Sequence, residues 1–295
     1  MSWQRVAADG TVKLFFPAGG GRTFEAAFFH IPGRDLPYIA CVSTQLGCAV
    51  GCGFCATTPD GFVRQLTAAE IASQIASIAR LAIARGASES EIEVSFMGMG
   101  EPLANRRGLV DAIHMTHQAV AGIRRVAVST VGPARRIIEF VTDAEQSPIP
   151  VHLQISLHAT RDDVRLGLIP RAGGTIDGLI DAGREYSIRT GDRVCLNYVL
   201  LDGVNDADGD ADWLSRVDRA RFYVKLTHLN SVESLPRHLR SSPPERFRLF
   251  RQTLADAGVA HKEFTGDGLD VHASCGQLAA RPIALYRSPA LLRTA

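Results

Sequence analysis

Lysine is nearly missing from this chain of 295 residues: of 32 basic residues only Lys13, Lys225 and Lys262 are lysines, the rest being arginine. An excess of charge of either sign is missing too, because 31 acidic residues bring the formal net charge to +1. No global field steers the molecule toward nucleic acid or a membrane surface, so any such contact has to come from local patches. Long apolar runs are also absent. The longest uncharged stretch, Leu36 to Pro59, is broken by glycine, proline and hydroxyl residues and is no membrane span. The opening Met1-Ser-Trp-Gln-Arg5 holds no apolar signal core, which makes the cytoplasm the expected address. What is present is 46% apolar residues, enough for a sizeable core in one large domain and too many for disordered or fibrous classes.

The cysteines are Cys41, Cys48, Cys52, Cys55, Cys195 and Cys275, and four of them fall within fifteen residues. Without a secretion signal, that crowding points to metal or redox chemistry rather than to a disulfide scaffold. Cys195 lies in the apolar run from Val194 to Leu201 and reads as a small buried hydrophobe with no role.

Val12–Phe16 and Phe24–Phe29 flank Gly19-Gly20-Gly21, the pattern of a hairpin. Strand-like runs rich in Val, Ile and Phe follow at Tyr38–Ser43, Ile92–Met97, Arg125–Ser129, Val151–Ser156, Val194–Leu201 and Phe222–Leu229. Helical patterns separate them. One opens with the capping box Thr67-Ala-Ala-Glu70 and runs to about Arg85; others cover Arg107–Ala119, Pro133–Thr142, Ile176–Thr190, Asp210–Arg216 and Pro244–Ala257. Six consecutive β/α units with no linker predict one parallel barrel or partial barrel, with a doubly wound open sheet as the alternative. In such barrels the chemistry sits in the loops after the strands. Those loops hold Cys48–Cys55, Gly98-Met-Gly-Glu-Pro102, Ser129-Thr130, Ser156-Leu157-His158 and Asn230, each polar, glycine-rich or metal-binding.

Cys48-Ala-Val-Gly-Cys52-Gly-Phe-Cys55 presents three thiols on a short glycine-rich loop. A [4Fe-4S] cluster takes four ligands, so three thiolates leave one iron open to a ligand from outside the protein. S-adenosylmethionine (SAM) is such a ligand in radical SAM enzymes. A zinc knuckle is the competing reading, but no His or Cys within the next twenty residues completes a tetrahedron. In Gly98–Pro102 two glycines let the backbone approach a ligand, and Glu101 is placed to accept from a ligand ammonium group; a helix-capping glutamate in a tight turn is the alternative. His158 also reads as a core histidine, Ser156 as a strand-end cap and Cys275 as a buried thiol.

Taken together the motifs are recognisable. Cys41–Cys48, the cluster loop with Phe54 and Gly61-Phe62, Phe96–Pro102, Val128–Gly132, Ile155–Ala159, Tyr198–Asp206 and Cys275–Ala279 resemble, in order, the radical SAM adenine-C2 methyltransferases of ribosomal and transfer RNA, whose adenine-C8 relatives share the pattern. The resemblance implies an α/β fold, a partial (β/α)6 TIM-like barrel of the radical SAM type in residues 37–295, carrying an N-terminal β-hairpin extension in residues 1–36. It implies a [4Fe-4S] cluster on Cys48, Cys52 and Cys55, and SAM contacts at Gly100, Glu101, Ser129, Ser156, Leu157, His158 and Asn230. It implies that Cys275 is methylated by one SAM, that a second SAM on the cluster yields the radical that removes a hydrogen from the S-methyl group, and that the resulting carbon radical adds to adenine. Cys41 then attacks Cys275, releasing the product as a disulfide forms. The logic is chemical: adenine C2 is not nucleophilic, whereas a thiolate is. An external one-electron reductant such as flavodoxin is expected as partner, beside the RNA.

The family's general base is a glutamate shortly before an Ile-Pro step. Glu25 is its counterpart here, two residues farther from Pro32, and an even shift keeps the strand face. The resemblance thins in two places. Family members carry a helical RNA-binding domain ahead of the hairpin, where this sequence has about ten residues, and the usually basic stretch before the reactive cysteine reads Glu263-Phe-Thr-Gly-Asp-Gly-Leu-Asp-Val-His272. Fewer phosphate contacts imply weak RNA affinity with shallow salt dependence. Arg106-Arg107, Arg124-Arg125, Arg135-Arg136 and the segment from Arg237 to Arg251 are the basic patches that remain. Two other readings stand at this point: the same chemistry on another acceptor, such as C8 of adenine, a free nucleotide or another sp² carbon, and a non-enzymatic iron-sulfur redox module.

Overall fold

The computed structural model describes residues 2–88, 91–120, 122–279 and 292–293. The chain opens with β1 (Trp3–Val6), β2 (Val12–Gly19) and β3 (Arg22–His30), an antiparallel meander whose last two strands turn at the glycine run. β4 (Tyr38–Cys41) pairs antiparallel with β3 and so joins the hairpin to everything that follows. Next come a small ribbon of β5 (Gln45–Gly47) with β6 (Phe62–Gln65), and α1 (Ala68–Ala84). The start of α1 is the expected capping box, Thr67 Oγ1 accepting from the Glu70 N–H at 3.2 Å while Glu70 Oε2 accepts from the Thr67 N–H at 2.9 Å.

The alternation then continues through β7 (Ile92–Phe96), α2 (Arg106–Ala119), β8 (Ile123–Thr130), α3 (Ala134–Glu145) and β9 (Val151–Ser156). After it come α4 (Asp162–Leu168), α5 (Ile176–Thr190), β10 (Val194–Val199), α6 (Asp208–Ser215), β11 (Phe222–Thr227), α7 (Pro244–Asp256) and β12 (His261–Phe264), with β13 (Leu292–Arg293) against β1. The two expected hairpin strands, the six expected parallel strands and the six expected helices are present. The short helix α4 and the strands β1, β5, β6, β12 and β13 were not expected; α4 and β12, with seven residues and the run His261-Lys-Glu-Phe264, carry too little periodicity to announce themselves.

The sheet runs β12-β11-β10-β9-β8-β7-β4-β3-β2-β1-β13 in space. From β4 to β12 the strands are parallel and lie in chain order. A doubly wound sheet reverses its strand order at a switch point; this one never does, which makes it a partial barrel of six β/α units closed by a lone final strand.

Helices cover the outside. Ile75, Ile78, Leu109, Ile113, Phe140, Leu179, Tyr186 and Phe250 belong to one continuous apolar core with the outward-facing strand residues. Period-two alternation gives the inner face a different character. Along β11, Phe222, Val224 and Leu226 are buried in that core while Tyr223, Lys225 and Thr227 face the barrel interior. The interior is therefore a lined chamber and not a packed core. No helix among the described residues is long and apolar enough to cross a membrane.

Candidate active site

Every expected site residue lies at or beside the C-terminal rim of the parallel strands, apart from Glu25 on β3, and the local chemistry explains how each is held. After β4, the Ser43 hydroxyl donates to the Glu25 carbonyl at 2.5 Å and accepts from the Met99 N–H at 2.8 Å, pinning the Gly98–Pro102 turn against β4. The turn passes so close that a Cβ on Gly98 would stand 2.6 Å from the Val42 carbonyl, and Gly100 adopts φ 100 with its α-carbon against Gln45. Glu101 emerges buried, its carboxylate accepting from Thr130 Oγ1 at 2.6 Å, Val131 N at 3.0 Å and Leu103 N at 3.0 Å. Burial raises its pKa, although those donors pull the other way. A carboxylate so fixed and buried is stabilised further by any cation that reaches it.

His158 is one of two described residues other than glycine at positive φ, 57. Three bonds hold it there: its N–H donates to the Asn197 carbonyl at 3.3 Å, its carbonyl accepts from Asn205 Nδ2 at 2.8 Å, and its Nδ1 accepts from the Val199 N–H at 3.0 Å. The last bond fixes a neutral ring with the proton on Nε2, and burial, aided by Arg165 and Lys225, lowers the pKa to about 3. The ring edge meets Phe54 of the cysteine loop, centroids 5.1 Å apart. Buried Arg165 ties the rim together, donating to the carbonyls of Val131 at 2.7 Å, Ser156 at 3.0 Å and Leu157 at 3.0 Å.

Cys48, Cys52 and Cys55 are free, partly exposed thiols on the loop between β5 and β6. Burial raises all three, Cys48 to about 11, and the negative fields of Cys55 and Cys48 raise Cys52 further. Cys52 and Cys55 line one chamber with Glu101, and these soft sulfur donors, with Cys48 on the same loop, fit an iron-sulfur cluster with one iron left to an amino-acid ligand. The cysteine loop is bonded directly to the Cys275 loop: the Ala56 N–H donates to the Gly276 carbonyl at 2.7 Å and Thr57 Oγ1 to the Leu278 carbonyl at 2.7 Å.

Two chambers result. One is lined by Cys52, Cys55, Gly100, Glu101, Ser129, Ser156, His158, Asn230 and Cys275. The other, about 660 Å³, lies deeper in the barrel and is lined by Cys41 as well as Cys275. Two expected residues depart from their assigned roles. Leu157 lies in the apolar core, contributing only its main chain to the rim. Glu25 lines neither chamber; it is fully buried, ion-paired to Lys13 at 2.8 Å, and accepts from the Ala279 N–H at 2.9 Å. The even shift keeps the strand face, but it moves the carboxylate about 6.6 Å along the strand. Ala27 is the residue paired with Cys41 on that face. Asn230 does line the first chamber, with Nδ2 committed to Ser274 Oγ at 3.1 Å and the Cys275 carbonyl at 2.9 Å and Oδ1 lying against Gly266. Arg165, Asn197 and Asn205 were missed, and Thr130 was named only as part of the loop after β8; Asn205 stands inside a quoted motif, but only the fold shows that its amide props His158.

The partial barrel with its cysteine loop defines a class, the radical SAM superfamily, whose family model matches residues 42–213. The probable dual-specificity RNA methyltransferase RlmN of Thermotoga neapolitana is 36% identical over 277 residues, spanning 92% of this chain and 76% of that protein. The dual-specificity RNA methyltransferase RlmN of Solidesulfovibrio magneticus is 36% identical over 283 residues, 94% of this chain and 77% of that one. A radical SAM methyltransferase from Sphaerobacter thermophilus superposes with a TM-score of 0.83 at 36% identity over 93% of this chain and 79% of that chain. The chain belongs to the radical SAM superfamily and, within it, to the family of the RNA methyltransferases RlmN; it is a radical SAM methyltransferase that uses a [4Fe-4S] cluster and SAM.

Proposed function

We propose that this enzyme methylates C2 of an adenine in ribosomal or transfer RNA, with Cys275 as the methyl carrier and Cys41 as the thiol that releases the product. The observation that carries the reading is the place of Cys275: it lines both chambers and its loop is bonded to the cysteine loop. Cys48, Cys52 and Cys55 would hold the cluster, Glu101 would take the ammonium of SAM, and the Nε2–H of His158 would donate to an acceptor atom of SAM. When bound, the cluster supplies the electron for reductive cleavage of SAM, and SAM supplies both the methyl group and the agent that removes a hydrogen from it. The protein's own contribution is placement: a carrier thiol on the wall shared by the two chambers, and a deeper chamber large enough for a base flipped out of its stack. A flavodoxin-like protein would deliver the electron. RlmN relatives are named for action on RNA, which supports the substrate class.

The test is incubation of reconstituted enzyme with methyl-labelled SAM and, separately, ribosomal RNA, transfer RNA and free adenine nucleotides, followed by nucleoside mass spectrometry. Labelled 2-methyladenosine in an RNA arm is the expected outcome. Labelled product from free nucleotide alone, or at C8 alone, contradicts it.

A further inference from the structure

The scarcity of lysine makes the position of each one informative. Lys13 is committed to Glu25 and to the His272 carbonyl at 2.9 Å. Lys225 and Lys262 are partners in the β11–β12 register, and both line the deeper chamber. Four residues line both chambers: Met97, Lys225, Cys275 and Leu278. Lys225 is thus the charged side chain on the same shared wall as the carrier thiol. Its Nζ donates to Gln154 Oε1 at 3.0 Å and lies 3.7 Å from Met97 Sδ, with no ion pair to a carboxylate among the described residues.

The two thiols need a cation. Cys41 is packed among Ala27, Phe29, Ile39 and Ala273, an apolar setting that disfavours a thiolate. Burial pushes its pKa up to about 12 and raises that of Cys275; the ammonium of Lys225 opposes both shifts. The titratable groups around that ammonium are Cys41 from β4, Cys195 from β10, His158 from the loop after β9, Lys262 from β12, and Cys275 with Asp267 from the C-terminal loop. Glu93 and Arg125 also line the deeper chamber and are engaged with each other.

We propose that the ammonium of Lys225 stabilises the thiolates of Cys275 and Cys41 in turn, making each a competent nucleophile at its step. The proposal rests on the two-cysteine reading given above. In the first step the Cys275 thiol loses its proton to solvent, its sulfur bonds the methyl carbon, and the sulfonium–methyl bond of SAM breaks to leave S-adenosylhomocysteine. In the last, the Cys41 thiol loses its proton and its sulfur bonds the Cys275 sulfur. The bond from Cys275 to the adduct carbon then breaks, and that carbon keeps the electron pair and takes a proton. The two thiols are oxidised to a disulfide as the carbon is reduced to a methyl group.

The test needs no turnover. In anaerobic reconstituted holoenzyme, iodoacetamide alkylation of each cysteine is followed by quantitative peptide mass spectrometry from pH 6 to 10, for the natural protein, Lys225→Met and Lys225→Arg. Expected is a fall of about three- to tenfold in the alkylation rate of Cys275 and of Cys41 at each pH in Lys225→Met, as a rise of about one unit in each thiol's pKa gives, with Lys225→Arg close to the natural profile. Unchanged profiles in Lys225→Met, or equal shifts in both variants, overturn it. Lys225→Gln serves the same comparison if the methionine variant does not fold, with circular dichroism and cluster absorbance confirming intact protein. Alkylation rate follows ionisation and access, and Lys225→Arg controls for access, so an unchanged rate in Lys225→Met sinks the role of Lys225, while loss of methyl on Cys275 in a separate SAM incubation sinks the two-cysteine reading.

Discussion

His158 shows most plainly how single residues are set for the chemistry. A histidine at φ 57 is costly, and here three hydrogen bonds over-determine it, two of them from strand-end backbone and one from the Asn205 amide. Its folded pKa is about 3, below the ordinary value near 6.5. The unfolded chain therefore binds the proton first, so stability is full above roughly pH 6.5 and falls as the pH drops toward 3. Replacing His158 with Asn should remove about one proton from that dependence. Urea unfolding at pH 5 and 7.5 measures it: the natural protein should lose more stability than the variant between these values, and equal losses would contradict the neutral, buried ring. Glu101 is set by the opposite means, burial opposed by three donors.

At the scale of elements, two devices hold the reactive loops. The first is the close crossing of the Gly98–Pro102 turn over β4. Gly98→Ala would drive a Cβ to 2.6 Å from backbone that has no room to yield, costing about 2 kcal/mol, visible as a lowered midpoint in urea. The second is the buried pair Lys13–Glu25. The register sets Lys13 opposite Ala27 and so diagonal to Glu25 on one face of the hairpin. From there the two side chains grip opposite ends of the Cys275 loop, at the His272 carbonyl and the Ala279 N–H. Removing Lys13 alone should destabilise the protein by about 3 kcal/mol because a buried carboxylate loses its ammonium partner. The double variant Lys13→Met with Glu25→Gln should recover most of that loss and retain methyl transfer within about tenfold of the natural rate; complete loss of transfer with recovered stability would restore Glu25 as a base.

These elements also mark what was legible in the sequence. The capping box at Thr67, the hydrophobic period of the strands and the spacing of Cys48, Cys52 and Cys55 are local signals, and local signals carry through to structure. The Lys13–Glu25 pair was not legible, because its meaning depends on a loop more than 250 residues away. Glu25 was read on the correct face, but its distance along the strand required coordinates. β12 was missed because three polar residues and one phenylalanine pair by tertiary context, at the sheet edge, and not by propensity.

At the scale of the whole molecule, the barrel brings together three segments that are distant in sequence. The hairpin anchors the C-terminal loop, the loop after β5 meets it through Ala56 and Thr57, and β11 presents Lys225 between the two chambers. The acidic character of the segment before Cys275 is partly internal, since Glu263 bonds His228 at 3.0 Å and Arg251 at 2.5 Å. The central claim is that a methyl group passes through Cys275 from one chamber to the other. Peptide mass spectrometry of the Cys41→Ala enzyme, after one turnover with methyl-labelled SAM and RNA, tests it most directly. The account predicts a labelled nucleotide adduct on the Cys275 peptide, because the thiol that releases it is gone. An unmodified Cys275 peptide, with methylated RNA accumulating at the natural rate, would contradict it.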